Sequence, residues 1–86
     1  KMLQKYRIDI DKIDKKIILL LKKRKLISQK MLKYKNKIED KSREKEIFEK
    51  LNQLANEHNL RPEFLNKLYK IILKESHKYQ KEIKNK

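Results

Sequence analysis

Residues 3–34 read LQKYRIDIDKIDKKIILLLKKRKLISQKMLKY, and the apolar spacing within them decides the fold. Leu3, Tyr6, Ile10, Ile13, Ile17, Leu20, Arg24, Ile27, Met31 and Tyr34 lie alternately three and four residues apart. Side chains at that spacing share one face of an α-helix, and the alternation forms a heptad seam. No Gly or Pro interrupts it, so the spacing predicts one continuous helix over about residues 3 to 36. Such a helix is about 50 Å long at 1.5 Å per residue. A compact chain of 86 residues has a radius of gyration of only about 12 Å. The rest of the chain can cover part of that seam, and the remainder would leave an apolar strip in water, which soluble monomers avoid. A second copy of the chain is the simplest cover.

Two shorter helices follow. Asn36 to Glu39 reads as a connection. Asp40 or Ser42 can cap a second helix over about residues 41 to 58, with Glu44 in its first turn. Its stripe is Ile47, Phe48, Leu51, Leu54, Ala55 and His58. Asn59 to Arg61 is a turn. Pro62 suits the first position of a third helix, about residues 62 to 83, and Glu63 suits the positive end of its dipole. The third stripe is Leu65, Leu68, Tyr69, Ile72, Ser76, Tyr79, Gln80 and Ile83. The expected architecture is therefore all-α: one domain over residues 1–86, with one long and two shorter helices per chain, forming an intertwined helical homodimer.

Composition agrees and excludes several classes. Gly, Val, Thr and Trp are absent and Pro occurs once, while Lys, Leu and Glu are abundant, which favours helix nearly everywhere. Without Cys there is no disulfide and no thiolate metal site. His58 and His77 are the two His residues; neither has a ligand cluster around it in the sequence, so no metal is expected. The longest apolar run, Ile17 to Leu21, is far too short to span a bilayer. The start of the chain lacks a signal-peptide pattern, so a soluble, cytoplasmic protein is expected. The net charge of +14 would suit nucleic acid, an anionic membrane surface or a small anionic substrate. Lys is spread along the whole chain rather than gathered in a tail, so most of this charge reads as compositional bias. No nucleic-acid or membrane partner is expected.

The informative charges stand where apolar residues should. Arg24 falls on the seam, where an unpaired buried guanidinium would be very costly. Lys35, 11 residues on, lies within about 20° of the same helical face. Ser76 and Gln80 interrupt the third stripe on successive turns, and Arg43 and Glu44 open the second helix. Taken singly, each has a plainer explanation: the cations snorkel to the surface, and the serine and glutamine face solvent. Together they bring cations, neutral hydrogen-bonding groups and one carboxylate to inward faces, a set suited to a small polar anion held within a helical bundle.

The ordered set Arg7, Asp14, Arg24, Lys35, Asp40-x-x-Arg43-Glu44 and Ser76-x-x-x-Gln80 resembles the AroQ-class chorismate mutases. Ile10-Asp-Lys-Ile-Asp-Lys-Lys-Ile-Ile-Leu-Leu-Leu resembles that family's first-helix signature. Ile71-Ile-Leu-Lys-Glu-Ser followed by Gln80 resembles its last. The likeness covers residues 3 to 80. It implies a cofactor-free rearrangement of chorismate to prephenate, a step of phenylalanine and tyrosine biosynthesis, in a homodimer with shared active sites. It implies that Arg24 binds one substrate carboxylate and Arg7 of the partner subunit the other. Lys35 and Gln80 would donate to the ether oxygen. Glu44, helped by the Asp40 backbone, would hold the ring hydroxyl. Ser76 would support a carboxylate and Arg43 would organise the loop around Asp40. Asp14 inherits no catalytic role.

One departure stands out. Four residues, Asn36 to Glu39, separate Lys35 from Asp40, about four fewer than is usual in the family, and Arg61 stands where the family often has an acidic cap. Either the first helix ends earlier or the loop lies differently over the site. Three other readings remain at this point. An isochorismate-pyruvate lyase shares the fold and much of the cationic pocket. A basic helical module binding nucleic acid or an acidic protein would explain the charge but not the ordered polar set. A mutase domain cut from a larger aromatic-pathway enzyme would suit a first residue that is Lys rather than Met.

Overall fold

A computed structural model describes residues 1–35 and 37–85. Helix α1 is Met2–Met31, α2 is Lys41–Glu57 and α3 is Pro62–Lys84; a single 3₁₀ turn, Leu32–Tyr34, follows α1. The described residues contain no strand. Asp40 rather than Ser42 caps α2, its Oδ1 accepting from the Arg43 backbone N–H at 3.0 Å. At the far end, Asn59 takes the left-handed conformation with φ 56°, which Asn tolerates better than most residues. The Leu60 N–H then bonds back to the Ala55 carbonyl at 2.9 Å, closing α2 with a Schellman motif. Pro62 occupies the first turn of α3 and Glu63 follows it; Arg61 flanks the helix without a side-chain cap.

Two paired contacts set the helix directions. Arg24 meets Ser76 and Ser28 meets Gln80, so α1 and α3 run parallel where they touch. Asn52 meets Asn66 and Glu44 meets His77, so α2 runs antiparallel to α3. The third helix thus packs against both others, and the last two turns of α1 lie beside the last turns of α3. Among the described residues, the buried apolar ones are Leu51, Ala55 and Leu73, and the buried polar ones are Ser28, Ser76 and Gln80. That is little core for a chain of this length.

The first helix ends earlier than its spacing predicts. It stops at Met31 rather than near residue 36; Asn36 itself lies outside the described residues. Lys35 adopts an extended backbone, φ −112° and ψ 133°, so it does not share a helical face with Arg24. The short link supplies the reason. The chain must reverse into α2, and ending α1 at Met31 gives that reversal residues 32–40 instead of four residues pulled nearly taut. Tyr34 consequently leaves the seam and is 88% exposed. On α2, Leu54 and His58 turn outward, and on α3 the buried apolar residue is Leu73, one residue beyond Ile72 of the predicted stripe, while Ser76 and Gln80 of that stripe are buried as well.

The rest of the seam is uncovered within one chain. Leu3, Tyr6, Ile10, Ile13, Ile17 and Leu20 are each at least half exposed. The chain is correspondingly elongated, 53 × 29 × 16 Å with a radius of gyration of 16.0 Å. No helix among the described residues is long and apolar enough to cross a membrane.

Candidate active site

The end of the bundle where α1 releases the chain holds a cleft of about 200 Å³. Arg24, Lys35, Asp40, Arg43, Glu44, Ser76 and Gln80 all line it, so seven residues chosen from the sequence converge on one place. Arg7 does not. It lies 17 positions before Arg24 on the same uninterrupted helix, about 25 Å away along the axis.

Arg24 is half-buried and anchored on α3. Its guanidinium donates to Ser76 Oγ at 2.9 Å, and it lies 6.0 Å from the centre of the Tyr69 ring, within cation–π range. Ser76 Oγ is also 2.9 Å from Tyr79 Oη. If Tyr79 donates, Ser76 accepts from both neighbours and keeps its own proton for a ligand. A guanidinium has five N–H donors, so anchoring one leaves a planar fork suited to a carboxylate.

Gln80 and Lys35 are each aimed by a backbone carbonyl. Gln80, 2% exposed, donates from Nε2 to the Ser28 carbonyl at 2.7 Å. Lys35 Nζ donates to the Ile38 carbonyl at 2.7 Å. The amide retains one further N–H and the ammonium two. These side chains are therefore fixed in direction yet can still donate into the cleft. The extended backbone at Lys35 brings this cation in, rather than a helical face.

The second helix contributes differently. Asp40 spends its carboxylate on the cap, and its carbonyl accepts from the Glu44 backbone N–H at 3.0 Å. Arg43 engages the Asp40 region through its backbone N–H, whereas its guanidinium turns to Glu46 at 3.4 Å. That pair is more than half exposed on both sides and contributes at most about 1 kcal/mol. Glu44 Oε2 is buried and has no hydrogen-bond partner among the described residues. His77 Nε2 approaches it to 3.3 Å without the alignment of a hydrogen bond.

His77 was not legible as a site residue. It follows Ser76 on α3, off the predicted stripe, yet lines the same cleft. Ser28, whose carbonyl orients Gln80, escapes the sequence for a different reason: a backbone acceptor leaves no sequence signal. Glu39, Glu44 and His77 bring ligand atoms within 4.8 Å of one another, a grouping that could hold a cation and that sequence spacing did not reveal.

Fold and cleft together define a small helical protein that offers a guanidinium, an ammonium, a neutral amide and a hydroxyl to a compact anion. Residues 6–81 match the family described as Chorismate mutase type II. The chain is 38% identical over 85 residues to a bifunctional chorismate mutase/prephenate dehydratase of Buchnera aphidicola subsp. Schizaphis graminum, covering 94% of this chain and 22% of that protein. It is 37% identical over 82 residues to the protein of the same description from Buchnera aphidicola subsp. Acyrthosiphon pisum, covering 91% and 21%. A chorismate mutase of Methanocaldococcus jannaschii is 31% identical over 84 residues, covering 93% of this chain and 85% of that protein. The chain thus spans about a fifth of the two bifunctional relatives and most of the third. No solved structure matches significantly. The chain belongs to the chorismate mutase type II family.

Proposed function

We propose that the chain rearranges chorismate to prephenate in this cleft, as a homodimer whose two sites are each completed by Arg7 of the partner subunit. The observation that carries the reading is the convergence of Arg24, Lys35, Ser76 and Gln80 on one cleft, with Arg24, Lys35 and Gln80 each held by a neighbour that leaves a proton to donate. The reaction is unimolecular. Its barrier falls when a flexible dianion is held in its folded, reactive shape and when the charge growing on the ether oxygen meets pre-positioned donors.

Each residue has a part in that scheme. Arg24, steadied by Ser76 and Tyr69, grips one carboxylate. Lys35 and Gln80 donate to the ether oxygen, where the breaking C–O bond leaves negative charge. Because Ser28 and Ile38 carbonyls fix their directions, little reorganisation is needed as that charge appears. Glu44 accepts from the ring hydroxyl, and Asp40 places Glu44 by starting α2. Gln80 is a neutral amide, so its donation does not require a protonated carboxyl there.

The dimer follows from length. A partner α1 laid antiparallel along the exposed seam would cover the apolar row from Leu3 to Leu20 and deliver its Arg7 to the Arg24 end. Parallel assays with chorismate and isochorismate test the reading. Loss of chorismate as prephenate appears is expected; release of pyruvate from isochorismate with chorismate untouched would replace it with the lyase.

A further inference from the structure

The Glu44–His77 contact has no part in the scheme above. Glu44 stands on the first turn of α2 and His77 on α3, and both are largely withdrawn from solvent, with side chains 24% and 20% exposed. The carboxylate oxygen Oε2 and the imidazole nitrogen Nε2 lie 3.3 Å apart. A carboxylate oxygen and a bare ring nitrogen are both acceptors, and two acceptors at that distance repel. The approach is favourable when a proton lies between them, on Nε2, in the neutral ring or the cation alike. Glu44 Oε2 is buried without an aligned hydrogen-bond partner among the described residues, a costly state for a charged oxygen that a small turn of the imidazole toward it would relieve. The surroundings do not offer a clear substitute. Glu39 faces the same spot with a like charge, and Lys70 and Lys74 line a groove beside Glu44 without an ion pair to it among the described residues.

We infer that His77 is a positioning residue: it holds Glu44 Oε2 from α3, so that the other carboxylate oxygen faces the cleft and reads the substrate's ring hydroxyl. A carboxylate pinned at one oxygen presents the second in a fixed direction, and this is what discrimination between a hydroxyl and its absence requires. Without the imidazole, Glu44 would rotate toward solvent or toward Lys70 and Lys74, and the hydroxyl would lose its acceptor. This inference rests on the assignment of Glu44 to the ring hydroxyl.

The test uses His77→Leu, which removes the donor while filling the space, and His77→Gln, whose Nε2 restores a neutral donor near the same place. Assays run with EDTA, so that no cation bridges Glu39, Glu44 and His77. Two stable cyclic dicarboxylates, alike except for the ring hydroxyl, serve as competitive inhibitors. The wild type should favour the hydroxylated one about tenfold, the worth of one hydrogen bond to a charged group. In His77→Leu that preference should collapse toward one. KM for chorismate should rise about tenfold while kcat changes by less than about threefold, since the hydroxyl contact exists before the barrier as well as on it. His77→Gln should recover most of the preference. An unchanged inhibitor preference in folded His77→Leu, with the wild type active, would overturn this inference alone. An inactive wild type would overturn the reading it rests on, and this one with it.

Discussion

Arg7→Ala combined with Lys35→Ala offers a quantitative test of the shared site. Arg7 and Arg24 lie on one unbroken helix, 17 residues apart, or about 25 Å. An arginine side chain reaches about 7 Å, so Arg7 cannot serve the cleft of its own chain at that rise per residue. Each variant alone should be nearly inactive, because every site of either homodimer lacks one cation. After the two are unfolded and refolded together in equal amounts, random pairing makes roughly half of the dimers mixed. In a mixed dimer one site takes Lys35 from the Arg7→Ala chain and Arg7 from the Lys35→Ala chain, and is whole; the other site lacks both. Roughly a quarter of wild-type activity should therefore return. The assay is the initial rate of chorismate loss, with mixed dimers counted by mass spectrometry or by a size tag on one chain. If mixed dimers form and no activity returns, Arg7 does not act across the interface and the shared site is refuted.

Sedimentation at micromolar concentration should give about twice the chain mass of 10.7 kDa; a folded, active monomer would contradict the covered seam. Lys35→Ala and Gln80→Ala should each lower kcat by about 3 to 4 kcal/mol of barrier, a few hundredfold, because their contacts strengthen with the charge on the ether oxygen. Gln80→Ala should also lose about 1 to 3 kcal/mol of stability in urea unfolding, since it strands the buried Ser28 carbonyl, whereas Lys35→Ala should unfold nearly as the wild type does. Asp40→Ala should lower stability by about 1 kcal/mol through loss of the α2 cap, while Arg43→Ala should change it by less than about 0.5 kcal/mol because its ion pair is exposed.

What the sequence made legible divides along physical lines. The starts of α2 and α3 could be read because each depends on a residue with a local job: Asp40 as a cap and Pro62 in a first turn. The end of α1 could not, since neither Gly nor Pro marks it and every residue from Leu32 to Lys35 tolerates a helix; the reversal into α2 ends it instead. The spacing puts Lys35 on Arg24's helical face, yet it lines the cleft from extended backbone, so the turn after α1 and not a shared face brings it there. Arg24, Ser76 and Gln80 stand out as polar interruptions of apolar stripes, and across α1 and α3 the structure joins Arg24 to Ser76 and Gln80 to the Ser28 carbonyl. Their separate roles came from family resemblance, because spacing alone says that an anion fits and not which one. Ser28, Leu73 and His77 stayed hidden: the first acts through its backbone, and the other two sit one position off a stripe whose exact rotation depends on how α3 packs on its neighbours.

The central claim is that this cleft turns chorismate into prephenate by holding it and stabilising charge on its ether oxygen. The most direct measurement is proton NMR of chorismate incubated with the purified chain in EDTA, beside a protein-free control and the Lys35→Ala Gln80→Ala double variant. The account predicts that chorismate signals decay as prephenate signals grow in equal amount, far faster than in the control, and that the double variant loses nearly all of that acceleration. Chorismate persisting at the control rate beside folded wild-type dimer, or a double variant as fast as the wild type, would contradict it.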